Sequence, residues 1–156
     1  MYKPELTEKH RQLARGAGTW VGEETMPPGV WIPEEITAQG RREVRIGLGG
    51  FALITDYTQT TDGVVTYEGH GVTVWDAAEE CYVMHWFDSA GSPPSLFKGD
   101  YEDGVLTMIG SGYGGGKMRN RTEYPDENTM RVTSEMSSDG EDWKLAFEGT
   151  YKCADS

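Results

Sequence analysis

Apolar and polar residues alternate with a period of two along most of this chain, and short clusters bearing glycine or proline break the alternation. Such alternation predicts strands with one face buried. The breaks divide it into ten: 18–26, 36–48, 51–60, 64–76, 81–88, 96–102, 105–109, 117–124, 129–138 and 143–152. Gly49-Gly50, Asp62-Gly63, Asp103-Gly104 and Asp139-Gly140 are turn signals between neighbouring strands. Only Pro4 to Arg15 departs from the pattern, setting Leu6, Leu13 and Ala14 among Glu5, Glu8, Lys9 and Arg11, with Gly16 after its end. That arrangement predicts a short amphipathic helix. The expected fold is all-β: a closed antiparallel up-and-down barrel of about ten strands. A helical segment over 1–17 precedes a single barrel domain over 18–153.

Turns also fix which side chains face inward, because a strand alternates faces at every residue. Gly49-Gly50 as a two-residue turn pairs Ile46 with Leu53, Val44 with Thr55 and Arg42 with Tyr57, and leaves Arg41, Glu43, Arg45 and Asp56 outside. Carried through Asp62-Gly63, the same register sets Tyr57 opposite Glu68 and Thr55 opposite His70. A four-residue turn at 77–80 then brings His85 onto the same wall, diagonal to His70. The expected inner wall holds Arg42, Tyr57, Glu68, His70, His85 and Phe87. This register turns Tyr67, Trp75, Tyr82, Met84 and Trp86 outward, more large apolar surface than a solvated face carries. Either the helix or a second subunit covers them, or a bulge near Gly69 or Gly71 reverses the faces; those glycines could also simply lie beneath Trp86. Near the C-terminus, Asp139-Gly140 places Met130, Val132, Met136, Trp143, Leu145 and Phe147 inside. A four-residue turn at 125–128 adds Arg119 and Arg121, which a slip of one residue would expel.

Composition narrows the function classes. A formal net charge of −12 disfavours phosphate backbones and anionic membranes, so neither nucleic acid nor membrane is expected as a partner. No apolar run approaches the roughly 20 residues of a membrane-spanning helix, and the N-terminus is charged from Lys3 onward, so a cytoplasmic location without a signal peptide is expected. Cys81 and Cys153 make no metal-type spacing and read as reduced thiols.

The polar groups assigned to the interior carry the candidate chemistry. A histidine pair can transfer protons, ligate haem or simply hydrogen-bond to Thr55 or Tyr57. With Glu68 as the only evident third ligand, no metal site is expected. Arg42, Arg119 and Arg121 would each need a partner inside an apolar barrel, and a ligand carboxylate is the natural one. Glu24 shares the parity of Trp20 and so faces inward as a possible charge partner. Trp31 and the loop from Ser89 to Ser95 would border one mouth.

The motifs Gly18-Thr19-Trp20, extended as 18–26, with Leu48 to Phe51, Gly69 to Val72, Trp86 to Ser89, Gly91 to Pro94 and Phe147 to Tyr151, resemble the bacterial domain of unknown function 1579 family. That family is similar to the calycin group of lipocalins, fatty-acid-binding proteins and haem-binding nitrobindins. The resemblance implies a lipocalin-like barrel and carries over no catalytic residues. The expected function is binding of a small, mostly apolar ligand with an anionic or polar group by Arg42, Tyr57, His70, His85, Phe87, Arg119, Arg121 and Trp143. The alternative is a barrel enzyme of isomerase, cyclase or hydrolase type using His70 or His85 with Glu68 or Tyr57. A third option is haem binding, or a protein-interaction role such as a homodimer through the outer aromatic patch. No cofactor is otherwise expected.

Overall fold

The computed structural model describes residues 2, 4–30, 32–112 and 115–154. One short helix, α1 (Glu8–Leu13), runs into a 3-10 turn at Ala14–Gly16. Ten strands follow: β1 (Gly18–Met26), β2 (Ile36–Gly47), β3 (Ala52–Thr61), β4 (Val64–Asp76), β5 (Cys81–Asp88), β6 (Ser95–Glu102), β7 (Val105–Ser111), β8 (Lys117–Asp126), β9 (Thr129–Ser137) and β10 (Lys144–Cys153). Each strand pairs antiparallel with its neighbours in sequence, and β1 pairs with both β2 and β10, so the barrel closes and leaves no sheet edge. No described helix is long and apolar enough to cross a membrane.

A helix of six residues is marginal by itself; α1 is held by docking across one end of the barrel. Leu13 is buried with Tyr82, Phe97 and Met108. Lys9 pairs with Asp100 at 3.0 Å, and its Nζ lies 4.8 Å from the centre of the Trp75 ring. The Tyr82 hydroxyl donates to the Lys9 carbonyl, and the Trp20 indole N–H to that of Gly16 at 3.0 Å. Trp20, at 1% exposure, plugs this end together with Tyr151, Met130, Val132 and Phe147.

Three irregularities decide which residues line the interior. The β2–β3 ladder follows the sequence expectation, with Arg42 opposite Tyr57 and Val44 opposite Thr55. Between β3 and β4 the register shifts: Gln59 pairs with Tyr67 but Thr60 pairs with Val65, so Thr66 is an extra residue in β4. Beyond this bulge Tyr57 faces Gly69 and Thr55 faces Gly71, one residue on from the expected partners. The expected β4–β5 pairing holds, with His70 opposite Phe87 and Val72 opposite His85, but the pair has turned over. Tyr67, Trp75, Tyr82, Met84 and Trp86 point inward, while Glu68, His70, His85 and Phe87 point outward. The expected outer aromatic patch is therefore core, and a dimer surface built from it is withdrawn.

The other two shifts lie near the C-terminus. Pro125 has no N–H for the ladder, and the β8–β9 register breaks between Glu123 and Asp126. The Asp126 carboxylate accepts the Asn128 N–H and the Thr129 hydroxyl, closing a tight turn at Glu127-Asn128. The one-residue difference puts Arg119 and Arg121 outside. In β10 the register shifts between Leu145 and Phe147. Ala146 and Phe147 are both buried, whereas Leu145, expected inside, is 39% exposed.

Candidate functional site

The barrel interior has two unlike walls. Met84 pairs with Phe97, Gly99 with Met108, Met108 with Asn120, Met118 with Met136 and Tyr151 with Met130, all on inward positions. One wall is thus rich in methionine, a flexible side chain that adapts to irregular shapes. Asn120 and Ser134 are polar residues on that wall and satisfy each other, the Asn120 side-chain oxygen accepting the Ser134 hydroxyl at 2.7 Å.

The facing wall, built by β1, β2, β3 and β10, is polar and centred on Glu24, whose exposure is 0%. A carboxylate removed from water needs several donors. The Tyr57 hydroxyl donates at 2.7 Å, Gln59 Nε2 donates at 3.1 Å, and the Tyr151 hydroxyl donates to Glu24 Oε2. Small residues make room for this group: a Cβ at Gly40 would lie 2.1 Å from Glu24 Oε2, and one at Gly149 would lie 2.3 Å from the Tyr151 hydroxyl. The bulge residue contributes as well. Thr66 Oγ1 lies 3.2 Å from Gln59 Oε1, which leaves the Gln59 amide nitrogen directed at Glu24.

Arg42 lies beside this cluster, surrounded by the barrel yet retaining accessible surface. Its guanidinium carbon is 4.5 Å from the Tyr57 ring centre and 5.0 Å from that of Tyr151, and Nη2 donates to the Tyr151 hydroxyl at 3.3 Å. Burial opposes its charge, but Tyr151, Tyr57 and Glu24 together outweigh that, so its pKa is raised and the group stays cationic. Burial likewise lifts the Tyr57 and Tyr151 phenols well above their ordinary range, with Arg42 pulling the other way, so both remain hydroxyl donors. Among the described residues Arg42 Nε is the single buried side-chain nitrogen or oxygen without a hydrogen-bond partner.

Of the residues proposed from sequence, Arg42 and Tyr57 meet in the interior and the others do not join them. His70 Nδ1 lies 2.7 Å from Asp56 on the outer face. Together with Glu68, Phe87 and Ser89 it borders an open depression of about 390 Å³. His85 is exposed on the same face. Arg119 and Arg121 both bind Glu135 outside the barrel, and Arg119 lies 4.2 Å over the ring of Trp143, which is itself outside. The three histidines thus sit on α1 or on outward strand positions, and a haem held from within by an imidazole does not fit this barrel. The described residues contain no group of three or more potential metal ligands. Cys81 and Cys153 are free thiols. Trp31 lies outside the described residues, as do Tyr113 and Gly114 of the glycine-rich 110–116 stretch.

Tyr151 and Gln59 are the partners of Glu24 that the sequence argument missed. Both carried a signal: Tyr151 shares the parity of Phe147, and Gln59 that of Tyr57.

The fold has solved relatives at low sequence identity. Rv2717c from M. tuberculosis superposes with a TM-score of 0.70 at 10% identity, covering 97% of this chain and all of its own. The S-type phycobiliprotein lyase CPES from Guillardia theta gives 0.64 at 12% identity, covering 97% of this chain and 95% of its own. Identity at this level supports a shared barrel and nothing finer. No curated protein matches the chain. The family model described as protein of unknown function (DUF1579) matches residues 5–153, so the chain belongs to that family.

Proposed function

We propose that the barrel interior binds a small, mostly apolar molecule bearing an anionic group, with Arg42 as the anchor. The observation that carries this reading is the guanidinium itself: cationic, deep in the barrel, and holding a buried Nε with no partner. Leaving such a donor unmet is unfavourable. The carboxylate that acts on it, Glu24, is already engaged by two phenols and an amide. A ligand carboxylate would pair with the guanidinium, while the methionine wall takes an apolar body of loosely defined shape. The proton-transfer alternative through His70 or His85 inside the barrel is not retained, because both imidazoles face out.

Titration calorimetry with decanoate and decanol tests the anchor. Decanoate should bind at least about tenfold more tightly, the scale of a charge-assisted hydrogen bond. Arg42→Leu should erase the preference, and Arg42→Lys, which keeps the charge but loses the fork, should retain part of it. Failure of decanoate to bind, or an undiminished preference in folded Arg42→Leu, overturns the reading.

A further inference from the structure

We propose that Trp86 is a stacking platform inside the barrel, and that the anion held by Arg42 is a planar aromatic or conjugated one; this rests on the Arg42 reading above. Gly69 and Gly71 occupy consecutive inward positions of β4, and Trp86 pairs with Gly71 from β5. A Cβ at Gly69 would stand 2.0 Å from Trp86 Cζ2, and one at Gly71 would stand 2.8 Å from Cε3. The indole therefore lies flat along bare backbone, an approach that only glycine permits.

Its orientation is fixed by a chain of donors. The indole N–H donates to the Tyr67 hydroxyl at 2.9 Å, Tyr67 donates to Asp88 Oδ2 at 2.7 Å, and Asp88 Oδ1 accepts the Ala90 N–H at 3.0 Å. Side chains locked in this way are poised for recognition at little entropic loss. One face lies against β4 and the ring also packs on the core cluster that contains Tyr82 and Phe97, yet the residue is only half-buried, so the indole keeps accessible surface. Tyr57, the ring between Trp86 and Arg42, does not stack on it: their centroids are 6.3 Å apart and the planes differ by 44°. A guanidinium for the charge and a tethered flat π surface beyond one phenol suit an arene carboxylate. A saturated chain gains from the methionine wall but nothing specific from the indole.

Calorimetry with 2-naphthoate beside decanoate tests this. In folded Trp86→Leu, naphthoate affinity should fall about tenfold while decanoate stays within about twofold, since stacking adds to area burial only for the flat ring. Equal losses for both ligands would show that Trp86 merely fills space, and unchanged naphthoate binding would also overturn the platform. If Trp86→Leu does not fold, Tyr67→Phe decides: it frees the indole N–H, and naphthoate should weaken selectively, whereas an unchanged affinity overturns the proposal. Wild-type binding of decanoate without naphthoate removes the platform and leaves the Arg42 anchor standing; binding of neither removes both.

Discussion

Strands β3, β4 and β5 carry polar and aromatic groups on both faces, and the two sets are held in opposite ways. Inside, Tyr57, Gln59, Tyr67 and Trp86 have hydrogen bonds that close on one another, on Glu24 or on Asp88. Outside, His70 and Asp56 form one contact, with side chains 44% and 55% exposed, and water can replace either partner. The inner groups are interdependent because each is the solvent of the next. The outer ones are nearly independent. Chemistry that needs a fixed geometry and a retained charge therefore belongs to the inner face, even though the outer face holds the histidines.

One extra residue sets the two faces, and shifting the register past it should have the largest effect. Deleting Thr66 removes the bulge but leaves Tyr67 opposite Gln59 and Gly69 opposite Tyr57, so both faces are kept. Inserting one alanine between Thr66 and Tyr67 instead moves the rest of β4 by one place behind an unchanged bulge. That register would drive His70 and Glu68 inward and expel Tyr67 and Trp86. With so much apolar surface exposed and charge buried, the insertion should abolish cooperative unfolding and the near-ultraviolet circular dichroism of the packed aromatics. Thr66→Ala keeps the extra residue, loses only the hydroxyl near Gln59, and should cost about 1 kcal/mol in urea denaturation. An insertion variant that unfolds like wild type would mean that the register at the bulge does not set the faces.

Next in size is Glu24→Ala. It leaves the Tyr57 and Tyr151 hydroxyls and the Gln59 amide without their shared acceptor, and Arg42 without the Coulombic attraction of the carboxylate. Removing one partner of a buried charged network costs about 3–5 kcal/mol. Urea denaturation measures it, and a loss below about 1 kcal/mol, the scale of an exposed pair, would erase the distinction between the two faces.

What could be read in advance follows the same division. Trp20 and Glu24 share a parity within β1, and the Gly49-Gly50 turn feeds an unbroken β2–β3 ladder, so Arg42 and Tyr57 could be placed together by counting. Counting fails at a bulge, and nothing about Thr66 or Ala146 distinguishes either from an ordinary strand residue. Pro125 is different: the expected four-residue turn already contained it, and its missing N–H falls where the β8–β9 ladder breaks, so the error there is one residue of turn length. The other usable signal was energetic: Tyr67 and Trp75 on β4 and Tyr82, Met84 and Trp86 on β5 share one face, and their joint burial outweighs a turn-based register. Tyr151 lies in a strand whose register Ala146 shifts, and its place beside Glu24 becomes visible only once β10 closes onto β1.

The smallest effect should come from the outer face, and there a double-mutant cycle sharpens the contrast. Asp56→Ala, His70→Ala and the pair together remove a contact of 2.7 Å whose partners are both largely in water. Exposed pairs of this kind couple by about 0.2–1 kcal/mol, and salt screens the interaction further. The coupling energy from urea denaturation should fall in that range and shrink as ionic strength rises. Decanoate affinity should stay within about twofold in all three variants, because neither side chain points into the barrel and distant sites act independently. A coupling as large as the Glu24 effect, or a loss of decanoate binding in His70→Ala, would show that the two faces communicate through the backbone of β3 and β4, and would return His70 to the binding site from the outside.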